Sequence, residues 1–179
     1  YTGSLVPPAF SGDRRDLDRH LRQGQHEATT LAAPFWEGEF GIDRSQAHAG
    51  QWADAALDTL DDLDAGWAWW QWRQDGGWGI RDRAGATHLD TLRHLARPYL
   101  AAAPATLHPG RGDGSTGRLD IRIDPTTTAT SATLAWPSVT LRPPAATGCN
   151  AQLLATGLGS YQLTVAPSTA GCVLHVVAS

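Results

Sequence analysis

Pro34-Phe-Trp-Glu-Gly-Glu-Phe-Gly41 is the stretch on which the reading of the whole chain turns. Aromatic residues surround two carboxylates, and the run stops at a glycine. Such a segment reads as a buried strand that ends on a charged group and enters a turn. The two-residue period of a strand puts Phe35, Glu37 and Glu39 on one face and Trp36, Gly38 and Phe40 on the other. In a barrel of parallel strands, reactive groups collect at the C-terminal strand ends. That rule favours Glu39, the later glutamate, for chemistry. Glu37 would lie a layer deeper, where an ionised carboxylate is costly unless paired. Its expected role is as structural partner to an arginine or histidine.

Outward from this stretch the chain alternates strand with helix. Residues 1–6 read as the end of a strand, broken by Pro7-Pro8. Leu17 and Leu21, four apart among charges, predict an amphipathic helix over 13–22. The strand is expected over 31–40. Trp52, Ala56, Leu57, Leu60 and Leu63 form one stripe of a helix over 48–64. Gly66-Trp-Ala-Trp-Trp-Gln-Trp72 reads as the next strand, followed by the loop Asp75-Gly-Gly-Trp-Gly79. Leu89, Leu92 and Leu95 predict a short helix halted near Pro98. Strand, helix, strand, helix, strand, helix predicts an α/β arrangement of parallel strands with right-handed crossovers.

Composition changes near residue 104. From Thr126 to Ser179 there is no Asp, Glu or Lys, and Arg142 alone carries charge at neutral pH. Short strands between turn signals are expected over 117–123, 132–141, 151–155, 161–165 and 172–177, the spacing of an antiparallel sandwich. The expected domains are therefore 1–104 and 105–179. Arg111-Gly112-Asp113 reads as part of an ordinary glycine-rich connection. Cys149 and Cys172 lie in the second part. As a disulfide of an exported protein they would close a loop of roughly 24 residues and add about 3 kcal/mol; the alternative is two free core thiols.

The 179 residues suit one or two domains. A formal net charge of -4 and a pI near 5.9 provide no basic footprint for nucleic acid and no polybasic anchor. No apolar run reaches the roughly 18 residues of a membrane span. His20, His26, His48, His88, His94, His108 and His175 show no metal-like spacing and read as surface or helix residues. No cofactor is implied. Eight Trp against three Phe and three Tyr suggest flat surfaces for stacking sugars.

Trp36-Glu-Gly-Glu-Phe-Gly41 resembles the Gly-Glu-Phe-Gly strand of family 5 glycoside hydrolases, whose fold is a (β/α)8 barrel. The resemblance implies that Glu39 is the catalytic nucleophile. Gly66-Trp-Ala-Trp-Trp-Gln-Trp72 resembles the family's eighth strand, whose tryptophan is a sugar platform. Parity places Gly66, Ala68, Trp70 and Trp72 on one face, so the platform falls on Trp70, with Trp67 and Trp69 packing outward against helices. Trp78 is a further candidate contact for sugar or lipid; Arg73, Gln74 and Asp75 could donate or accept at the rim, with surface solvation as their expected role. Tyr1 matches a tyrosine that hydrogen-bonds the nucleophile. Arg97-Pro98-Tyr99, followed by a β-domain, is similar to the endoglycoceramidase branch, which cleaves glycosphingolipids between sugar and ceramide. The family has an apolar residue at position 37, where this chain has glutamate.

The resemblance implies a retaining β-glycosidase, secreted, acting on a glycolipid or another β-glycoside. Such an enzyme needs two carboxyl groups about 5–5.5 Å apart. By analogy the second follows an asparagine on the fourth barrel strand. This sequence has no Asn-Glu pair, and its only asparagine is Asn150. A whole barrel takes about 250 residues. The chain is therefore expected to hold strands six to eight of the barrel, followed by the sandwich, with the N-terminal barrel half as its missing partner. A β-glucanase or β-glucosidase of the same family, and a non-catalytic sugar-binding or scaffold fragment, are the alternatives.

Overall fold

In the computed structural model, which describes Phe10 and residues 13–179, α1 (Arg15–Thr30) comes first. Residues 1–6 and Tyr1, with the roles expected of them, lie outside the described residues. Asp16 and Asp18 sit in the first turn of α1, where the helix dipole favours negative charge. Leu17 and Leu21 form its buried face. The helix runs eight residues beyond the expected end. Gly24 does not break it, because the ring of Phe35 occupies the space a side chain would fill; a Cβ there would lie 2.8 Å from the ring. α1 gives way to a turn in which Ala32 has φ of 52°.

The first strand, β1, is consequently shorter than expected and spans Trp36–Phe40. α2 (Ala49–Asp62) follows, and then β2 (Gly66–Trp69). β1 and β2 pair in parallel, Trp36 opposite Gly66 and Glu37 opposite Trp67. The expected parallel arrangement is present in this two-stranded sheet. β2 stops at Trp69, not at residue 72. α3 (Leu89–Leu95) ends short of Pro98, since the residue before a proline disfavours helical backbone.

The core here joins Leu17 and Leu21 of α1, Phe40 of β1, and Ala53, Ala56, Leu57 and Leu60 of α2. One polar group is buried within it. Thr59 accepts a hydrogen bond from Arg14 Nη2 at 2.9 Å and donates to Asp18. Arg14 Nε also reaches Asp18 at 3.2 Å. This network satisfies the charges along the α1–α2 contact.

The chain divides into two compact units, Tyr1–Leu95 and Ala96–Ser179. In the second unit the strands are β3 (Tyr99–Ala102), β4 (Leu107–Pro109), β5 (Arg118–Ile123), β6 (Thr130–Ala135), β7 (Pro144–Thr147), β8 (Ala151–Gly157), β9 (Ser160–Val165) and β10 (Cys172–Ala178). They form two four-stranded antiparallel sheets, ordered β4-β5-β10-β7 and β3-β6-β9-β8. Leu119, Ile121, Ile123, Leu174 and Val176 from one sheet share a core with Leu134, Leu163 and Val165 from the other. This is the expected sandwich. The expected boundary after residue 104 moves to Leu95/Ala96, because β3 pairs with β6.

The sequence reading did not find β3, β4 and β7. All three are edge strands, and Pro109 and Pro144 lie in two of them, where a missing N–H is tolerated. Cys149 and Cys172 form a disulfide with Cα atoms 5.9 Å apart. Gly148, with φ of 91°, lets the backbone pass close to the Val173 carbonyl beside the bridge. His108 and His175 sit on strands and bond Asp124 and Asp120, each at 2.8 Å. Asp113 closes its own turn, accepting from Ser115 N at 2.8 Å and Thr116 Oγ1 at 2.6 Å. The Arg111-Gly112-Asp113 segment is thus a structural turn, with its aspartate occupied internally.

Candidate active site

The end of β1 departs from simple alternation. A register irregularity lies between Glu37 and Phe40. Trp36 is 61% exposed, and its ring lies where a Gly66 side chain would be. Phe40 turns to the opposite face and is 8% exposed. There its ring meets Trp67, Trp69 and Trp52 with centroids 5.7, 5.3 and 6.0 Å away. Trp36 and Phe40 therefore do not share a face, contrary to the strict two-residue period. Trp67 and Trp69 do pack toward α2, as parity in β2 predicts; Trp52 and Trp69 are 6.4 Å apart.

Glu39 is partly buried and immediately precedes Phe40. Alternation from Phe40 directs it away from the aromatic cluster. Among the described residues its carboxylate has no hydrogen-bond partner. Glu37 is also partly buried, and it pairs in register with Trp67. Burial holds its carboxyl above the ordinary glutamate range. No arginine or histidine partner accompanies it among the described residues, so the expected structural ion pair is replaced by a desolvated acid.

Trp70 follows β2, and its N–H donates to the Phe40 carbonyl at 2.8 Å. This bond ties Trp70 to the residue after Glu39. The Trp70–Gln71 peptide is cis. Trp70 is 43% exposed. Gly41 packs against the Trp70 carbonyl, and a Cβ at Gly41 would lie 3.6 Å from the Trp78 ring. The backbone following Glu39 is thus bonded to Trp70, and the Trp78 ring lies on the side where a Gly41 side chain would project.

The loop carrying Trp78 is held by residues the sequence reading did not select. Arg44 N donates to Gly77 O at 2.9 Å, and Arg44 Nη1 to Gly76 O at 2.8 Å. The Asp43 carboxylate fills the space beside Gly77, which only glycine leaves open. Ile80 N donates to Gln71 O at 3.0 Å, and Trp69 Nε1 to Trp78 O at 3.4 Å. The glycines of the loop were a signal for close approach; nothing local pointed to Asp43 or Arg44. Of the expected rim residues, Asp75 accepts from Arg83 N at 2.8 Å, Arg73 donates to the Arg83 carbonyl, and Gln74 N donates to Arg81 O at 2.9 Å. Their bonds serve their own loop.

A cavity of about 140 Å³ opens elsewhere in the first unit, lined by Ile42, Ala53, Trp69, Asp90 and His94 among others. Glu39, Trp70 and Trp78 do not line it. No cluster of metal-ligating side chains occurs among the described residues. Near the end of β1 stands a carboxylate with no hydrogen-bond partner among the described residues, and the backbone after it bonds the half-exposed Trp70. A carboxylate so placed is chemically able to act as a nucleophile.

No protein-family model and no curated protein matches the sequence. Among solved structures, the chain is similar to endo-glycoceramidase II from Rhodococcus sp., at 21% identity and a TM-score of 0.63, over 86% of this chain and 35% of that one. The lactosyl-enzyme intermediate of that enzyme matches at 20% identity and a TM-score of 0.62, over 86% and 35%. Its complex with ganglioside GM3 matches at 20% and 0.63, over 86% and 34%. At this identity the likeness is one of fold. The chain spans about a third of the length of these structures.

Proposed function

We propose that this chain is part of a secreted retaining β-glycosidase that cleaves glycosphingolipids, with Glu39 as nucleophile. One observation carries the reading. Glu39 stands without a hydrogen-bond partner among the described residues, near the C-terminal end of a parallel strand, just before backbone bonded to Trp70 N, in a fold similar to that of an endo-glycoceramidase. Glu39 attacks the anomeric carbon and forms a glycosyl-enzyme ester. A second carboxylic acid protonates the leaving oxygen and then activates water. That acid, and the strands that complete a (β/α)8 barrel, belong to the remainder of the protein. Trp70 supports the sugar ring, and Trp78 borders it. The Cys149–Cys172 bridge fits an oxidising, extracellular setting.

The test is Glu39→Gln in the full-length protein, assayed on a β-glycosylceramide beside a panel of soluble β-glucans. Hydrolysis should vanish while the unfolding midpoint stays unchanged. Turnover close to wild type overturns the assignment. A larger loss in Glu37→Gln transfers the nucleophile to Glu37. Preference for the glucans places the substrate among soluble polysaccharides.

A further inference from the structure

One end of the sandwich exposes two aliphatic side chains on adjoining loops. Leu158, at the tip of the β8–β9 hairpin, is 92% exposed, and Val139, in the loop after β6, is 70% exposed. Trp136 N donates to Gly159 O at 2.7 Å and joins the two loops. Gly159 has φ of 68°, and a Cβ there would lie 2.6 Å from the Trp136 carbonyl, so the close approach requires glycine. The Trp136 indole is buried and donates to Arg142 O at 2.8 Å. Leu141 N donates to Pro137 O at 2.9 Å. Thr156 and Ser160 hydroxyls bond each other at 3.0 Å across the base of the hairpin. The two apolar tips therefore project from a braced base.

We infer that these tips insert into the interface of a phosphatidylcholine bilayer. A single exposed leucine is ordinary. Here two apolar tips stand on joined loops, within a stretch that lacks carboxylates altogether. From Thr126 to Ser179 the one residue charged at neutral pH is Arg142, which is exposed and lies in the same loop as Val139. A zwitterionic interface matches that pattern: hydrocarbon for the tips, phosphate for the guanidinium, and headgroup depth for Ser138 and Thr156. A docked protein would need a broad face of about 1,000 Å² in total; entry into a bilayer interface needs only the two projecting side chains. The inference concerns the second unit alone and goes beyond the proposed reaction.

Phosphatidylcholine vesicles without glycolipid test it independently of hydrolysis. The full-length protein is mixed with vesicles and centrifuged. Wild type is expected in the pellet. Leu158→Asp and Val139→Asp should each weaken partition about tenfold, the effect of one apolar side chain kept in water. The double variant should fall to background, and Val173→Asp, on an outer sheet face, should pellet like wild type. All variants are checked for unchanged unfolding midpoints. Wild type remaining in the supernatant overturns the inference, as does a double variant that still pellets. Dimers in solution that the double variant dissociates would assign the tips to a second copy and overturn it too.

Discussion

Glu37 and Asp113 are carboxylates displaced in opposite directions, and each displacement has a consequence for stability. Burial raises the Glu37 pKa. A carboxyl raised in the folded state favours folding at acid pH, and that contribution is lost as pH rises through the folded pKa. Glu37→Gln should therefore raise the urea midpoint at pH 7, with the gain disappearing below about pH 4, where both side chains are neutral. At Asp113 burial works upward, but bonds from Thr116 and Ser115 outweigh it and bring the pKa to about 2. Its contribution is present above the ordinary aspartate value and fades as pH falls toward 2. Asp113→Ala should cost about 1 kcal/mol at pH 7 by chemical denaturation, and progressively less on acidification. At this scale the sequence revealed residue types and two carboxylates on one strand. It did not reveal that Glu37 has no arginine or histidine partner among the described residues, because that depends on which side chains from other elements arrive nearby.

α1 and α2 illustrate how elements are held. Leu17 and Leu21 announced the apolar side of α1, and the stripe on α2 was equally legible. Arg14 and Asp18 stand in the charged run around those leucines, and both bond Thr59, which is fully buried. Thr59→Val keeps the volume but leaves both groups without this partner. The expected cost is about 1–3 kcal/mol, measured as a lower thermal or urea midpoint. Thr59→Ser should retain most of the network and lose less. β1 shows the opposite case. Its existence was clear from an apolar run ending at glycine, but its phase was not, because the irregularity before Phe40 is set by packing on Trp52, Trp67 and Trp69. The edge strands β3, β4 and β7 are short and proline-bearing or flanked by prolines, so their local pattern is weak. Pairing with a neighbour defines them.

For the molecule as a whole, the second unit is a sandwich closed by one covalent link. The Cys149–Cys172 bridge constrains a loop of sequence separation 23 in the unfolded chain. Replacing both cysteines by alanine should lower stability by about 3 kcal/mol on the chain-entropy account. Scanning calorimetry of the full-length protein should place that loss in the transition of the sandwich. By itself the sequence determined the alternation of strands and helices, the parallel β1–β2 pair, the sandwich, and the carboxylates and tryptophans carried on and after those two strands. These follow from periodicity, breakers and residue chemistry within short windows. Only the tertiary structure decided the unit boundary at Leu95/Ala96, the turning of Phe40 away from Trp36, the Asp43 and Arg44 hold on the Trp78 loop, and the bracing beneath Leu158. Each of those rests on a contact between residues distant in the chain. Such contacts are selected by packing and hydrogen-bond satisfaction in the folded state, and no local pattern encodes them.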